Sequence, residues 1–407
     1  MATATKTYEY SVRDRGGKMV SGKLDAPNEA ALVGKLKGMG FAPVSISETG
    51  GGMKRELTLP GGNKIKLKDL AVMSRQFATM INSGLSLLRA LSILAEQTES
   101  KGLAKVLGEV RNDVETGISL SSAMAKHPAA FPPLMVNMCR AGEVGGFLDV
   151  VLLRIAANYE AEVKLKSKIK SAMTYPVVVL VMAVLCTFGM LIFIVPIFQQ
   201  MFTDLGGTLP APTRVLVFLS AQMKWVAPLV VVSLVVFAFV WKKIKNLDKV
   251  RQTVDPLKLK IPVFGLLFQK LALSRFTRNL GTMVSSGVPI LQALDIVADT
   301  TGNVVVGNAV REVQDSVRRG ESLTGPLANH KVFPPMVVQM MAVGEDTGAL
   351  DTMLEKISQF YDQEVEAMTE ALTALLEPLM IAFLGGVVGS MIIALYMPMF
   401  KIFEQIG

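Results

Sequence analysis

The amino-acid sequence predicts a mainly α-helical integral membrane protein, with two repeated cytoplasmic helical-bundle domains, three transmembrane helices and a small N-terminal ββαβ module. Three observations carry that prediction. The chain holds three long blocks free of charge, most of the remainder is one segment written twice, and the N-terminal end follows a different, alternating pattern. Composition agrees: 51% of the residues are hydrophobic and 19% charged, where soluble chains average roughly 25% charged.

The alternating segment comes first. KTYEYSVRD reads as a strand, Gly16-Gly17 turns the chain, MVSGKLDA returns, Asn28 to Met39 is a short helix and FAPVSISE closes as a strand, which makes residues 1–48 the ββαβ module. A Gly-rich basic linker over 49–66 follows. Met1 to Ser11 is polar and lacks an apolar run, so no cleavable signal peptide is expected and the internal spans must direct insertion.

A helix needs about 20 apolar residues to cross the hydrocarbon of a bilayer. No charge occurs between Lys170 and Asp204, between Lys224 and Lys242, or between Glu377 and Lys401. The middle block is shorter, but Trp225 and Trp241 bracket it at interfacial positions. The predicted spans are 172–202, 221–241 and 377–400, with an extracytoplasmic loop at 203–220 and a tail at 401–407. Lys164, Lys166, Lys168 and Lys170 precede the first span, and Lys242, Lys243 and Lys245 follow the second, whereas residues 203–224 between them carry only two basic residues, Arg214 and Lys224. The positive-inside rule then places the N-terminus and both large polar regions in the cytoplasm and the C-terminus outside.

Between and beside the spans lies a duplication. RQFATMINSG (Arg75–Gly84) matches RNLGTMVSSG (Arg278–Gly287), and Glu109, Gly117 and His127 match Glu312, Gly320 and His330. Phe131-Pro132-Pro133 matches Phe333-Pro334-Pro335, and AGEVGGFLD (Ala141–Asp149) matches VGEDTGALD (Val343–Asp351). The register continues through Tyr159 with Tyr361 and Pro176 with Pro378 to Pro196 with Pro398. Leu88, Leu91 and Ile93-Leu94 recur at helical spacing, as do Leu291, Leu294 and Ile296-Val297. Gly84, Gly117, Gly142, Gly287, Gly320 and Gly344 fall where helices should stop, and each Phe-Pro-Pro marks a sharp break. The copies are therefore cytoplasmic bundles of five or six short helices, at 67–171 and 270–376, joined by a connector at 242–269.

Catalytic chemistry is not written in the chain. It contains no phosphate-binding glycine loop, no H-E-x-x-H, no G-x-S-x-G and no paired cysteines. Cys139 and Cys186 offer neither a disulfide framework nor metal spacing. A net charge of +8 suggests nucleic acid, but the basic residues sit beside the apolar blocks and only two Trp and six Tyr are available for stacking. The uncharged cores of the spans, 171–203, 225–241 and 378–400, carry no Asp, Glu, Lys, Arg or His, which argues against an ion pathway or coupled transporter. The chain is not expected to be an enzyme, and no cofactor, metal or nucleic acid is expected.

The duplicated SRQFATMINSG and SRFTRNLGTMVSSG segments, G-E-x-x-G-x-L-D at Gly142–Asp149 and Gly344–Asp351, the three spans and the N-terminal module together resemble one family, the type II secretion protein F / type IV pilus inner-membrane platform proteins. The resemblance covers nearly the whole chain. It implies a scaffold in the bacterial inner membrane, whose cytoplasmic domains engage a hexameric assembly ATPase. Its further implied partners are pilin or pseudopilin subunits, other inner-membrane assembly proteins and the lipid bilayer, with the chain forming a homo-oligomer. A membrane adaptor of another ATPase-driven complex and a transporter subunit are the alternatives.

Several residues are candidates for function. Gly142, Glu143, Asp149, Gly344, Glu345 and Asp351 read either as helix caps with acidic first turns or as an acidic docking surface for the ATPase, and Glu143 or Glu162 could hold a cation. His127 and His330 are a conceivable catalytic pair, though a place beside the last carbonyls of a helix is expected. Lys164 and Lys168 correspond to Glu366 and Glu370, a reversal of sign at equivalent positions that suggests the faces pair within or between chains. Gly385 and Gly389 form G-x-x-x-G, which lets helices approach closely in lipid. Pro176, Pro196, Pro378 and Pro398 are expected to bend or start helices, or to act as hinges.

Overall fold

The computed structural model describes residues 6–13, 19–26, 29–39, 41–48, 65–204, 209–245 and 247–406. Two compact units, Met1–Gly62 and Asn63–Gly407, make up the chain. In the first, β1 (Lys6–Arg13) pairs antiparallel with both β2 (Met19–Ala26) and β3 (Ala42–Glu48), giving the order β2-β1-β3. Pro43 sits on the edge strand beside the register shift at Ser11/Val12, where a missing N–H leaves the ladder intact. Helix α1 (Glu29–Gly38) buries Leu32 and Leu36 with Ala26 in a small core. The expected turn at Gly16-Gly17 and residues 49–64 of the expected linker lie outside the described residues.

In the second unit, the first copy comprises α2 (Leu67–Asn82), α3 (Leu87–Gln97), α4 (Lys101–Glu115), α5 (Leu120–Ala125) and α6 (Pro133–Gly145), followed by the long α7 (Leu148–Gly189). After α7 the chain winds through a π-helical turn, Met190–Ile194, into α8 (Val195–Asp204). Helix α9 (Ala211–Ile244) returns and α10 (Asp248–Lys260) leads into the second copy. That copy repeats the pattern as α11 (Phe264–Ser285), α12 (Ile290–Thr300), α13 (Val304–Arg318), α14 (Thr324–Ala328), α15 (Pro335–Thr347) and the long α16 (Leu350–Ile406).

The spacing of apolar residues makes these helices. α2 buries Leu70, Met73, Ser74, Phe77 and Ala78, one face of a 3.6-residue period. Phe-Pro-Pro starts α6 and α15, because the proline at the first helical position has no N–H to lose, and it drives Phe131 and Phe333 into the core. One continuous apolar core, including Phe77, Phe131, Phe276 and Phe333, runs through both copies. Each such side chain stabilises by about 1.5–3 kcal/mol when fully buried.

Of the six glycines expected at helix stops, Gly84, Gly117, Gly287 and Gly320 adopt positive φ. Gly142 and Gly344 do not: they lie inside α6 and α15, and the stops are Gly146 (φ 75) and Gly348 (φ 70). A Cβ on Gly142 would lie 3.1 Å from Leu148 Cα, and one on Gly344 would lie 2.9 Å from Leu350 Cα. These two glycines let each short helix fold tightly against the start of the long one.

Among the described residues, three helices are long and apolar enough to cross a membrane. The expected loop at 203–220 is corrected over its second half, since α9 begins at Ala211 and runs unbroken past the predicted start of the second span. Pro210 and Pro212 begin it favourably, and Arg214, although polar, does not interrupt a helix. The expected tail is likewise helical to Ile406.

Pro176, Pro378 and Pro398 are interior residues of helices, and Pro196 is the second residue of α8, directly after the π-helical turn. A proline leaves one carbonyl of the preceding turn without its N–H partner, and in lipid that group must find another. In the π-helical turn each N–H reaches five residues back, as Val195 does to Met190, so Pro196 orphans Leu191 O. Ser220 Oγ of α9 donates to Leu191 O at 2.5 Å. In the α-helical third span Pro398 orphans Ala394 O, and Thr213 Oγ1, also on α9, donates to it at 2.5 Å. Thr213 and Ser220 are seven residues apart, about two turns, and therefore share a face. Near the other end, Pro176 orphans Ala172 O, which lies 3.4 Å from Thr373 Oγ1.

Candidate functional site

The two copies meet along a seam of α7, α11 and α16. The duplication supplies each side with the same internal polar clasp. Arg75 of α2 holds Glu160 of α7 through Nε–H···Oε1 at 2.7 Å and Nη2–H···Oε2 at 2.5 Å. At the equivalent positions Arg278 of α11 pairs with Asp362 of α16, which also accepts Ser274 Oγ–H at 2.6 Å. These arginines and acids were not singled out in the sequence, although Arg75 and Arg278 occupy one position of the repeated segment.

Across the seam the contacts are unpaired by symmetry. Buried Asn158 of α7 donates to Asn279 Oδ1 (3.3 Å) and Thr282 Oγ1 (3.1 Å) of α11. Glu162 lies 3.6 Å from Arg275, and Gln292 donates to Asn137 Oδ1 at 2.8 Å. Toward the spans, Lys168 meets Glu366 within the chain, whereas Lys164 and Glu370 are exposed and form no ion pair among the described residues. A cavity of about 380 Å³ opens on the seam, with Arg154, Asn158, Arg278, Asp351, Glu355 and Asp362 among its lining residues.

The acidic candidates of the G-E motif work inside their own copies. Glu143 accepts the N–H of Leu120 (2.5 Å) and of Ser121 (3.0 Å), closing the start of α5. Glu345 accepts the N–H of Leu323 at 2.8 Å and faces Thr324 Oγ1 at 3.4 Å. A carboxylate there satisfies orphan donors and the positive end of the helix together. Asp149 and Asp351 lie in the first turns of α7 and α16. Each histidine follows the last turn of a short helix, its backbone N–H donating to Met124 O at 3.0 Å or Leu327 O at 3.1 Å, while the His127 ring lies 3.6 Å from Glu109 and that of His330 lies 3.0 Å from Glu312. Gly385, Gly386 and Gly389 face open space.

Burial, with the Glu143 charge second, pushes the Cys139 thiol far above its usual range and keeps it neutral. Burial likewise pushes the Tyr159 phenol up, reinforced by Glu162. Among the described residues no three His, Cys, Asp or Glu side chains gather as metal ligands. Glu143 faces backbone N–H groups and Glu162 faces Arg275.

Comparison with known proteins places this architecture. The family model for type II secretion system protein F matches residues 73–196 and again 276–398. The model for the N-terminal domain of the same protein matches residues 1–47. The chain is 43% identical to the type IV pilus assembly protein PilC of Myxococcus xanthus over 98% of this chain and 95% of that one. It is 44% identical to the PilC of Thermus thermophilus, covering 97% and 98%. It is 33% identical to the type II secretion system protein F of Xanthomonas campestris, covering 98% and 99%.

Proposed function

The chain belongs to the type II secretion system protein F family, and on that premise we propose that it is an inner-membrane platform that passes the motion of a cytoplasmic assembly ATPase to pilin or pseudopilin subunits leaving the bilayer. The observation that carries the reading is continuity. α7 and α16 each begin against a cytoplasmic bundle and run on as membrane spans without a loop between. The bundles share one core and a polar seam, so a push on either displaces both helices. The platform itself turns over no nucleotide.

In this reading the N-terminus and both bundles are cytoplasmic and the C-terminus lies outside. Asp149 and Asp351 remain as acidic docking positions for the ATPase, because the Glu143 and Glu345 carboxylates are turned onto backbone N–H groups. Deletion of the gene tests the function: it should abolish pili or secretion and leave small-molecule uptake intact, with an assembly ATPase and pilin-like proteins co-purifying with the tagged chain. Nucleotide hydrolysis by the purified chain, or bundles digested by protease added outside intact cells, would overturn it.

A further inference from the structure

A second cavity, of about 590 Å³, lies where α7 passes from the cytoplasmic bundle into the first span. It runs along α7 from Glu162 to Val178, about 24 Å at 1.5 Å per residue, with α11 as its other wall. The two ends differ in chemistry. The cytoplasmic end carries Lys166, Lys170 and Arg275, and the end within the span is walled by Met173, Val177 and Val178.

The cations are poorly answered from within the chain. Lys166 and Lys170 are exposed and have no ion pair among the described residues. Arg275 has one acidic neighbour, Glu162 at 3.6 Å, and its buried Nε–H donates to no group. Arg278, also on the wall, is already paired with Asp362. An orphaned buried donor on an arginine that shares the cavity wall with two unpaired lysines marks a place for an acceptor oxygen carrying negative charge.

We propose that this groove holds one anionic phospholipid of the cytoplasmic leaflet, its phosphate on Lys166, Lys170 and Arg275 and an acyl chain along Met173 and Val177. The order of the wall, cationic and then apolar along one helix, is the order a phospholipid presents from headgroup to tail at that depth. Basic pockets at the cytoplasmic ends of spans recognise lipid headgroups in this way, and the volume falls within the range of ordinary ligand pockets. A membrane helix of a partner protein would fill the apolar end but give the three cations nothing to meet. The lipid would also wedge α7 to α11, and so the first copy to the second, at the level where force enters the bilayer. The proposal does not depend on which machine the platform serves.

The test uses the full-length protein purified in mild detergent, given equimolar phosphatidylglycerol and phosphatidylcholine, with bound lipid counted by native mass spectrometry. Preferential retention of phosphatidylglycerol is expected. The double variant Lys166→Gln/Lys170→Gln should lose it about tenfold or more, the scale that two lysines near a membrane surface supply. Lys242→Gln/Lys243→Gln, which removes equal charge from the end of α9, should retain it. Thr174→Trp fills the groove and leaves every charge in place, and it should lose the lipid as well. Millimolar inorganic phosphate should not displace the lipid, since the acyl chain contributes. Equal retention of the two lipids, equal loss in the α9 control, displacement by free phosphate, or in-cell crosslinking from Thr174 that captures a protein helix and no lipid would each overturn the proposal.

Discussion

The two copies share a scaffold but treat their spans differently, and the difference shows which parts of the duplication are free to diverge. Arg75–Glu160 and Arg278–Asp362 are the same clasp, and Glu143 and Glu345 close the same short helix. Outside these internal fasteners the copies separate. Asn158, buried on the seam, stands where the second copy has an exposed Phe360. Ala78 stands where Gly281 lets Leu354 approach to 3.0 Å of a would-be Cβ. Lys168 stands where the second copy has Glu370. The first span reaches Pro196 directly after a π-helical turn, whereas the third passes Pro398 in an unbroken α-helix. The polar clasps and helix caps inside a copy are kept in both, and residues that join one copy to the other have become complementary.

Breaking equivalent residues in each copy sharpens this contrast. The largest effect is expected in the core. Phe131→Ala and Phe333→Ala should each cost about 3–5 kcal/mol. Phe333 should cost more by about 0.5–1.5 kcal/mol, because its ring meets Phe276 edge-on at 5.3 Å. Thermal unfolding in detergent reads the difference, and equal losses would remove it.

The hydroxyl clasps of α9 come next. Ser220→Ala and Thr213→Val should each cost about 0.6–1.7 kcal/mol, the range of interhelical hydrogen bonds in membranes. Amide exchange distinguishes them: Ser220→Ala should loosen the turn at Met190–Ile194, and Thr213→Val should leave that turn protected.

Glu143→Gln should destabilise by about 1 kcal/mol, the worth of a helix cap. Glu345→Gln should do less, having one backbone N–H partner where Glu143 has two. Protease sensitivity around α5 and α14 would rank them.

The smallest effect is electrostatic. Hydrogen bonds from Arg75 hold the half-exposed Glu160 carboxyl below its ordinary value of 4.5. A depressed folded value stabilises fully above the unfolded one and is lost as the pH falls through the folded one. Arg75→Gln should therefore lower stability by about 0–1 kcal/mol near neutral pH and by nothing in strong acid. A difference that persists at low pH would show that Arg75 acts by packing instead.

The membrane-capable helices and the repeat were legible because each rests on a long pattern: uncharged blocks, and two segments in register over most of the chain. The sign reversal between Lys164/Lys168 and Glu366/Glu370 was also visible, but its geometry was not. The contact is Lys168 with Glu366, one turn away from the equivalent position, because the helices are offset where they touch. The G-E motif misled for a local reason. Glycine near a helix end ordinarily reads as a cap, yet Gly142 serves close packing and Gly146 makes the turn. Asp255 had no signal at all. Its burial, with Lys258 Nζ at 2.9 Å and the N–H of Val304 at 3.2 Å, exists only once α10 has folded against the start of α13. The partners of the orphaned carbonyls were hidden likewise, since Thr213 and Ser220 lie in a stretch whose polarity read as loop.

The length of α16 has a mechanical consequence. Its 57 residues make a rod of about 85 Å, so one degree of rocking at the bundle end sweeps the far end through about 1.5 Å. A tilt of a few degrees at the bundle end would thus become, at the other end of the helix, a sideways travel comparable to the rise of a helical turn.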